Sequence, residues 1–406
     1  MIRARAPRKS APSGTVVIGS AYVTGVAGTM AEFMVPPIMP VLHRHFGSTH
    51  TMEGLLMGGF ALTTLLAALS AGRLTARFGT TWTALAGVLG LALGTGFNGL
   101  FFQSVNFWGF LVARLVGGLG FGLISVAAPA KIGQEVDPRL LPRAMGIWAT
   151  WVPAGSLIMF LIAPYLASTA SLGPLVGAEF AMDLLAAAGL VLTGFRRLAP
   201  PDLPAHARAS SGRWRGAMLF ILITFAGFTF QVFAFNTWLT TWLTFSFHFS
   251  LAAAGVVGAL ASVAGAVGNV AGGLVLGPSG PRKPIFIWAA GLMALGWAGL
   301  GLVGAPLAVT LCLVINAVGG LIPTLVFSAP NWVVKSPVDV GHAMAWVIVG
   351  ENLGIAVGPL AFSVALGASS AFIHSFLLLT LAGLVMAMSV VGFFRALDRM
   401  PRSSME

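Results

Sequence analysis

Stretches of about 20 apolar residues recur from one end of this chain to the other, each long enough to cross a bilayer as a helix. They fall at 16–41, 52–71, 82–100, 108–128, 145–166 and 175–194, and again at 217–245, 253–275, 284–303, 306–326, 344–366 and 372–394. In hydrocarbon each segment must bond its own backbone polar groups, so each reads as a helix. Only 8% of the 406 residues are charged, against about 25% in a soluble domain. The pattern predicts an all-α membrane protein with twelve transmembrane helices, numbered here as spans 1 to 12. The 52 glycines suit close packing of helices in lipid. Cys312 is the only cysteine, which excludes an intrachain disulfide.

The basic residues orient the chain. Of 22 Lys and Arg, all but two fall in the tails, in even-numbered loops or in the segment between spans 6 and 7; Arg44 lies on the other side and Arg114 inside span 4. This positive-inside bias places both termini in the cytoplasm. The net charge of +11 therefore orients a membrane protein, and no nucleic-acid partner is expected. The basic N-terminus runs straight into a full span without a small-residue cleavage site, which reads as an uncleaved anchor.

The chain also repeats itself. Gly72 and Gly79, flanking Arg77 after span 2, correspond to Gly273 and Gly280 after span 8, both 201 residues later. Arg114, Gly117 and Gly118 answer Asn316, Gly319 and Gly320 at a shift of 202, and Arg143-Ala144-Met145 answers His342-Ala343-Met344 at 199. Such a repeat predicts two pseudo-symmetric six-helix bundles that rock about a central site. The boundaries are a basic tail over 1–15, bundles at 16–194 and 217–394, a Pro- and Arg-rich cytoplasmic linker at 195–216, and a tail over 395–406.

With those residues aligned, the chain resembles the major facilitator superfamily. The loop 2–3 signature appears as Gly72, Ala76, Arg77 and Gly79, and the span 4 signature as Arg114, Gly117, Gly118 and Gly122. Relatives carry an acid at the position of Ala76, so an electrostatic latch through that acid is not expected, whereas close approach of the Gly72–Ala76 face to span 11 is. Span 5 lacks the glycine cluster of drug/proton antiporters. The tryptophans of span 5 and the run Asn236-Thr237-Trp238-Leu239 faintly resemble porters of small organic anions.

The resemblance implies that spans 1, 4, 7 and 10 line the solute path, where the chain places Glu32, Arg114, Asn236 and Asn316. Helical rise puts Glu32 and Asn236 each about 13 Å from the outer membrane face and Arg114 about 9 Å from it. Intramembrane charges tend to face the interior and pair, so Glu32 and Arg114 are expected as partners. In one reading Glu32 exchanges a proton and Arg114 balances it or binds an anion; in the other the two form a fixed salt bridge. Glu179 and Asp183 share a face of span 6 and are read as interfacial or structural, although such a pair also suits proton carriage. Glu351 is either a second proton site or an anchor for Arg73 or Arg77. Glu53 is read as a cap of span 2.

Trp148, Trp151, Trp238 and Trp242 offer stacking surface to a solute or to other helices, and Gln231 is a further polar candidate. His43, His45 and His248 cluster in outer loops, where metal binding is conceivable; no ligand spacing supports it strongly, so they are read as solvated and no metal is expected. No phosphate-cradling loop or nucleophile–base set appears, which argues against ATP drive, an enzyme and a cofactor. The reading is a secondary transporter in a bacterial inner membrane, a monomer that moves a small organic solute, preferentially an anion, with protons by alternating access. The alternatives are a drug or metabolite exporter working as a proton antiporter, or a non-transporting sensor.

Overall fold

The computed structural model describes residues 13–137, 139–167, 170–195, 214–276, 283–334, 337–369 and 371–400. Twelve helices among these are long and apolar enough to cross a membrane, and no strand occurs among them. Spans 1 to 6 are Gly14–Phe46, His50–Phe78, Thr80–Gln103, Phe107–Glu135, Arg143–Leu166 and Gly173–Thr193. Spans 7 to 12 are Trp214–Phe247, Leu251–Leu274, Lys283–Leu300, Ala305–Val333, His342–Gly367 and Phe372–Asp398. Gly280 and most of the linker expected at 195–216 lie outside the described residues.

Three spans are broken where hydropathy alone runs on; span 5 is interrupted at Ala149 and Thr150, between Leu141–Trp148 and Trp151–Leu166. Span 1 stops as an α-helix at Phe33, passes through a short 3-10 turn at Pro36–Ile38, and resumes as Met39–Phe46. The cause is local: Pro36 and Pro37 lack the N–H groups that the carbonyls of Glu32 and Phe33 would otherwise receive. Span 10 divides at Gly320 into Ala305–Gly319 and Leu321–Val333. Span 4 runs to Glu135, beyond the expected end at 128, so Lys131 is buried in a helix rather than in a loop. Its Nζ donates to Thr81 Oγ1 at 2.8 Å and to Glu135 Oε1 at 2.6 Å.

The repeat is realised in the packing. A Cβ on Gly155 of span 5 would collide with Thr29 and the Val26 carbonyl of span 1; one on Gly354 of span 11 would collide with Thr229 and the Ala226 carbonyl of span 7. The three pairs of residues correspond at shifts of 199 and 200, so one helix crossing has been built twice.

The halves meet at the end that carries loops 1–2 and 7–8. Span 2 meets span 11 there, where Gly54 faces Leu360 and Ser363 and Gly58 faces Ala356. Span 5 meets span 8, with Ser156 Oγ 3.1 Å from Ser262 Oγ and Phe160 over Gly255 and Gly258. Thr240 Oγ1 of span 7 donates to the Pro36 carbonyl at 2.6 Å. At the other end Gly72, Arg73, Ala76, Arg77 and Gly273 are exposed, and no atom stands where a Cβ on Gly72 or Gly273 would point. The close approach of the Gly72–Ala76 face to span 11 is therefore not formed in this conformation. Gly79 closes span 2 with φ +92° and starts span 3 at once, a turn that needs glycine.

Candidate functional site

Arg114 sits at the middle of the N-terminal bundle, 1% exposed. Its partners are not the ones expected. Nη1 donates to the Ala31 carbonyl, Nη2 to the Glu32 carbonyl at 3.0 Å, and Nε to the Leu56 carbonyl at 3.5 Å. The guanidinium lies over the Phe60 ring, 4.3 Å from its centroid. The guanidinium thus caps the carbonyls left open by the break in span 1. No ion pair between the side chains of Glu32 and Arg114 is present, which corrects the expected pairing.

Glu32 is 4% exposed, and its carboxylate makes no hydrogen bond among the described residues. It lies within electrostatic reach of Arg114 and, in the opposite half, of Glu351. Phe33 beside it packs on Phe233 of span 7 at 5.7 Å and on Phe160 of span 5 at 6.2 Å. Asn236 occupies the same face of span 7 as Phe233 and Thr240, which lie one turn to either side and both touch span 1. Its amide is half-buried and has no hydrogen-bond partner among the described residues. The contacts of Phe233 with Phe33 and of Thr240 with the Pro36 carbonyl set Asn236 beside the break in span 1.

Phe60 continues into a row of rings. It packs on Phe121 at 5.7 Å, Phe121 on Trp151 at 5.5 Å, and Trp151 stacks on Trp148 at 4.9 Å. Sequence reasoning found the two tryptophans and missed Phe60, Phe121 and Phe33, which nothing in an apolar span distinguishes. The Pro36-Pro37 doublet was the available signal for the break.

Other expectations change. Trp238 is fully buried, donates to the Pro359 carbonyl at 3.4 Å and stacks on Phe362; Trp242 packs between Phe235 and Phe376. Neither presents a face to a solute. Gln231 is also fully buried and bonded at both ends: Nε2 donates to the Gly227 carbonyl at 2.6 Å, and Oε1 accepts Trp297 Nε1 at 2.8 Å. It braces spans 7 and 9. Trp297→Phe is expected to strand that oxygen, costing about 1–3 kcal/mol, which a thermal melt would register while transport per folded molecule stays unchanged.

Asn316 is 8% exposed and donates to the Cys312 carbonyl at 2.9 Å, leaving its oxygen free of partners among the described residues. Glu179 and Asp183 are buried within the first half, not interfacial; Thr95 Oγ1 donates to Glu179 Oε2 at 3.1 Å, while Glu179 Oε1 and Asp183 Oδ2 are unpaired. Glu351 is partly buried and pairs with neither Arg73 nor Arg77, both of which are exposed. Glu53 is fully buried rather than a solvated cap, and Thr49 caps span 2 in its place.

The model of the Major Facilitator Superfamily matches residues 21–327. The chain belongs to that superfamily. It is a multi-pass membrane transporter and not an enzyme. A curated relative, the uncharacterized MFS-type transporter YceJ of Bacillus subtilis (strain 168), is 24% identical over 226 residues, 55% of this chain and 57% of that protein. The chain thus spans just over half the length of that relative.

Solved structures share the fold. A bacterial homologue of the human lysosomal transporter Spinster, inward-facing and unoccupied, superposes with TM-score 0.75 at 14% identity over 96% of this chain and 98% of that one. A D-xylose-proton symporter gives 0.74 at 14% over 97% and 99%. The nucleoside transporter NupG gives 0.71 at 10% over 93% and 99%.

Proposed function

We propose that this chain moves a small polar organic solute by alternating access and exchanges a proton at Glu32. One observation carries the reading: a carboxylate without a hydrogen-bond partner among the described residues stands at the break in span 1, within electrostatic reach of Glu351 in the other half. An ionised acid in that setting is costly, so opening to water on one side and closing on the other is a natural way to load and release a proton. Asn236 and Asn316 add neutral groups with unused hydrogen-bonding capacity, and Trp151 offers a half-buried ring. With the basic loops cytoplasmic, the described conformation is closed outside.

The solute is uncharged in this reading. An anion needs a free cation to receive it, whereas each nitrogen of Arg114 already donates to a carbonyl and the side chain is fully buried. The groups that remain are acidic or neutral. The relatives named for D-xylose and nucleosides carry solutes of the kind such groups suit. A second reading, exchange of an organic cation for a proton, draws on the same two carboxylates.

The test is proton flux in proteoliposomes, with pentoses, nucleosides, small carboxylates and organic cations offered in turn. Entry of a pentose or nucleoside together with protons, with both lowered more than tenfold in Glu32→Gln, is the expected result. Movement of protons against a cation selects the exporter, and transport of carboxylates alone overturns the uncharged solute. Proton flux undiminished in Glu32→Gln removes that residue from coupling.

A further inference from the structure

At the closed end of the molecule, three side chains turn toward one point. Glu53, fully buried, accepts His43 Nδ1 at 2.6 Å on Oε1 and His50 Nδ1 at 3.2 Å on Oε2. Ser48 Oγ also donates to Oε1, at 2.6 Å. The two imidazoles stack with centroids 5.3 Å apart. Chain geometry imposes this arrangement. His43 lies on the short helix that follows the Pro36-Pro37 break, Gly47 turns the chain at φ +57°, and His50 and Glu53 stand three apart on the first turn of span 2.

We propose that His43, His50 and Glu53 bind a divalent transition metal of the zinc class. One ligand atom from each lies within 4.8 Å of the others. Zinc holds nitrogen and carboxylate oxygen at about 2.0–2.2 Å, which spaces tetrahedral ligands about 3.3 Å apart. The nitrogen–carboxylate separations of 2.6 and 3.2 Å, with all three ligand atoms within 4.8 Å, reach that by side-chain rotation, and each Nδ1 proton passes through water to Nε2, so that a neutral imidazole binds the metal. Two imidazoles with one carboxylate favour zinc, cobalt or nickel over calcium or magnesium. The histidine side chains are 33% and 29% exposed, so an ion can enter from water, and water can complete the coordination. Arg44, the adjacent cation, is exposed and outside the ligand set.

The cluster also touches the other half. His50 meets Trp238 edge-on at 5.3 Å, and His43 meets Phe245 at 6.2 Å, both on span 7. A bound ion would fix both rings against that surface and favour the closed end. This consequence rests on the alternating-access reading; the binding itself does not.

The experiment measures zinc alone on purified protein in detergent, by equilibrium dialysis with metal analysis. Wild type is expected to hold about one zinc per chain. Affinity should fall more than tenfold in the double variant His43→Ala/His50→Ala. His45→Ala should retain the site, because His45 instead stacks on Phe102 and contacts its carbonyl. Metal-free melts establish that each variant is folded, and cobalt offered in place of zinc should give the visible absorption of a nitrogen-ligated ion in wild type and His45→Ala only. No saturable binding, equal binding by the double variant, or preference for calcium overturns the site. Because no transport is measured, that failure is separate from any failure of the transport reading.

Discussion

Arg114→Ala is expected to strip this protein of much of its stability before any effect on solute is considered. The guanidinium supplies the donors for the Ala31 and Glu32 carbonyls beside a break in span 1, and Pro36 has no N–H to replace one of them. Each stranded buried carbonyl costs about 1–3 kcal/mol, and the contact with the Phe60 ring is lost as well. The sum, about 2–6 kcal/mol, corresponds to a fall in melting midpoint on the order of 10 °C. Arg114→Lys keeps the charge and loses the planar fork, so it should fall between wild type and alanine. The measurement is a thermal melt of detergent-purified protein. An unchanged midpoint in Arg114→Ala, with transport abolished, would return the residue to the solute site and revive an anionic substrate.

The second large effect is a lock. Thr51 in span 2 and Gly367 in span 11 face each other across the closed end, with Thr51 Oγ1 3.6 Å from the place a Cβ on Gly367 would occupy. Both positions are exposed, and the spacing suits a disulfide. Oxidation of the pair Thr51→Cys with Gly367→Cys should form the bond readily and reduce transport to background. Reductant should restore it, and each single variant should transport normally. Cys312 is buried and out of the oxidant's way. Undiminished transport by the cross-linked protein would show that spans 2 and 11 need not part at this end, and alternating access between these halves would fail.

Much of the fold was legible because hydrocarbon leaves few choices. A run such as 253–275 has only one way to satisfy its backbone in lipid, so span number and class follow from composition. The internal repeat was equally readable, and Gly155–Thr29 and Gly354–Thr229 show that its glycines encode a helix crossing used twice. Glu32, Asn236 and Asn316 were singled out because polar groups are rare in such segments, and all three keep hydrogen-bonding capacity unused by described neighbours.

Side chains whose roles depend on distant partners were not legible. Arg114 and Glu32 looked like a pair because opposite charges attract, yet the backbone of span 1, more than 80 residues away in sequence, made the stronger claim on the guanidinium. Trp238 and Gln231 were polar handles without visible owners until Pro359 and Trp297 came beside them. Glu53 read as a cap of span 2 and His43 as a solvated loop histidine, since nothing in the local pattern announces that a broken helix folds one onto the other.

Hydropathy and repetition, which act along the chain, determined that this protein spans a membrane twelve times in two related halves. Which polar groups remain free was decided only in the tertiary structure. A buried donor is claimed by whichever acceptor the packing brings nearest, and that choice is made between helices that sequence does not place side by side.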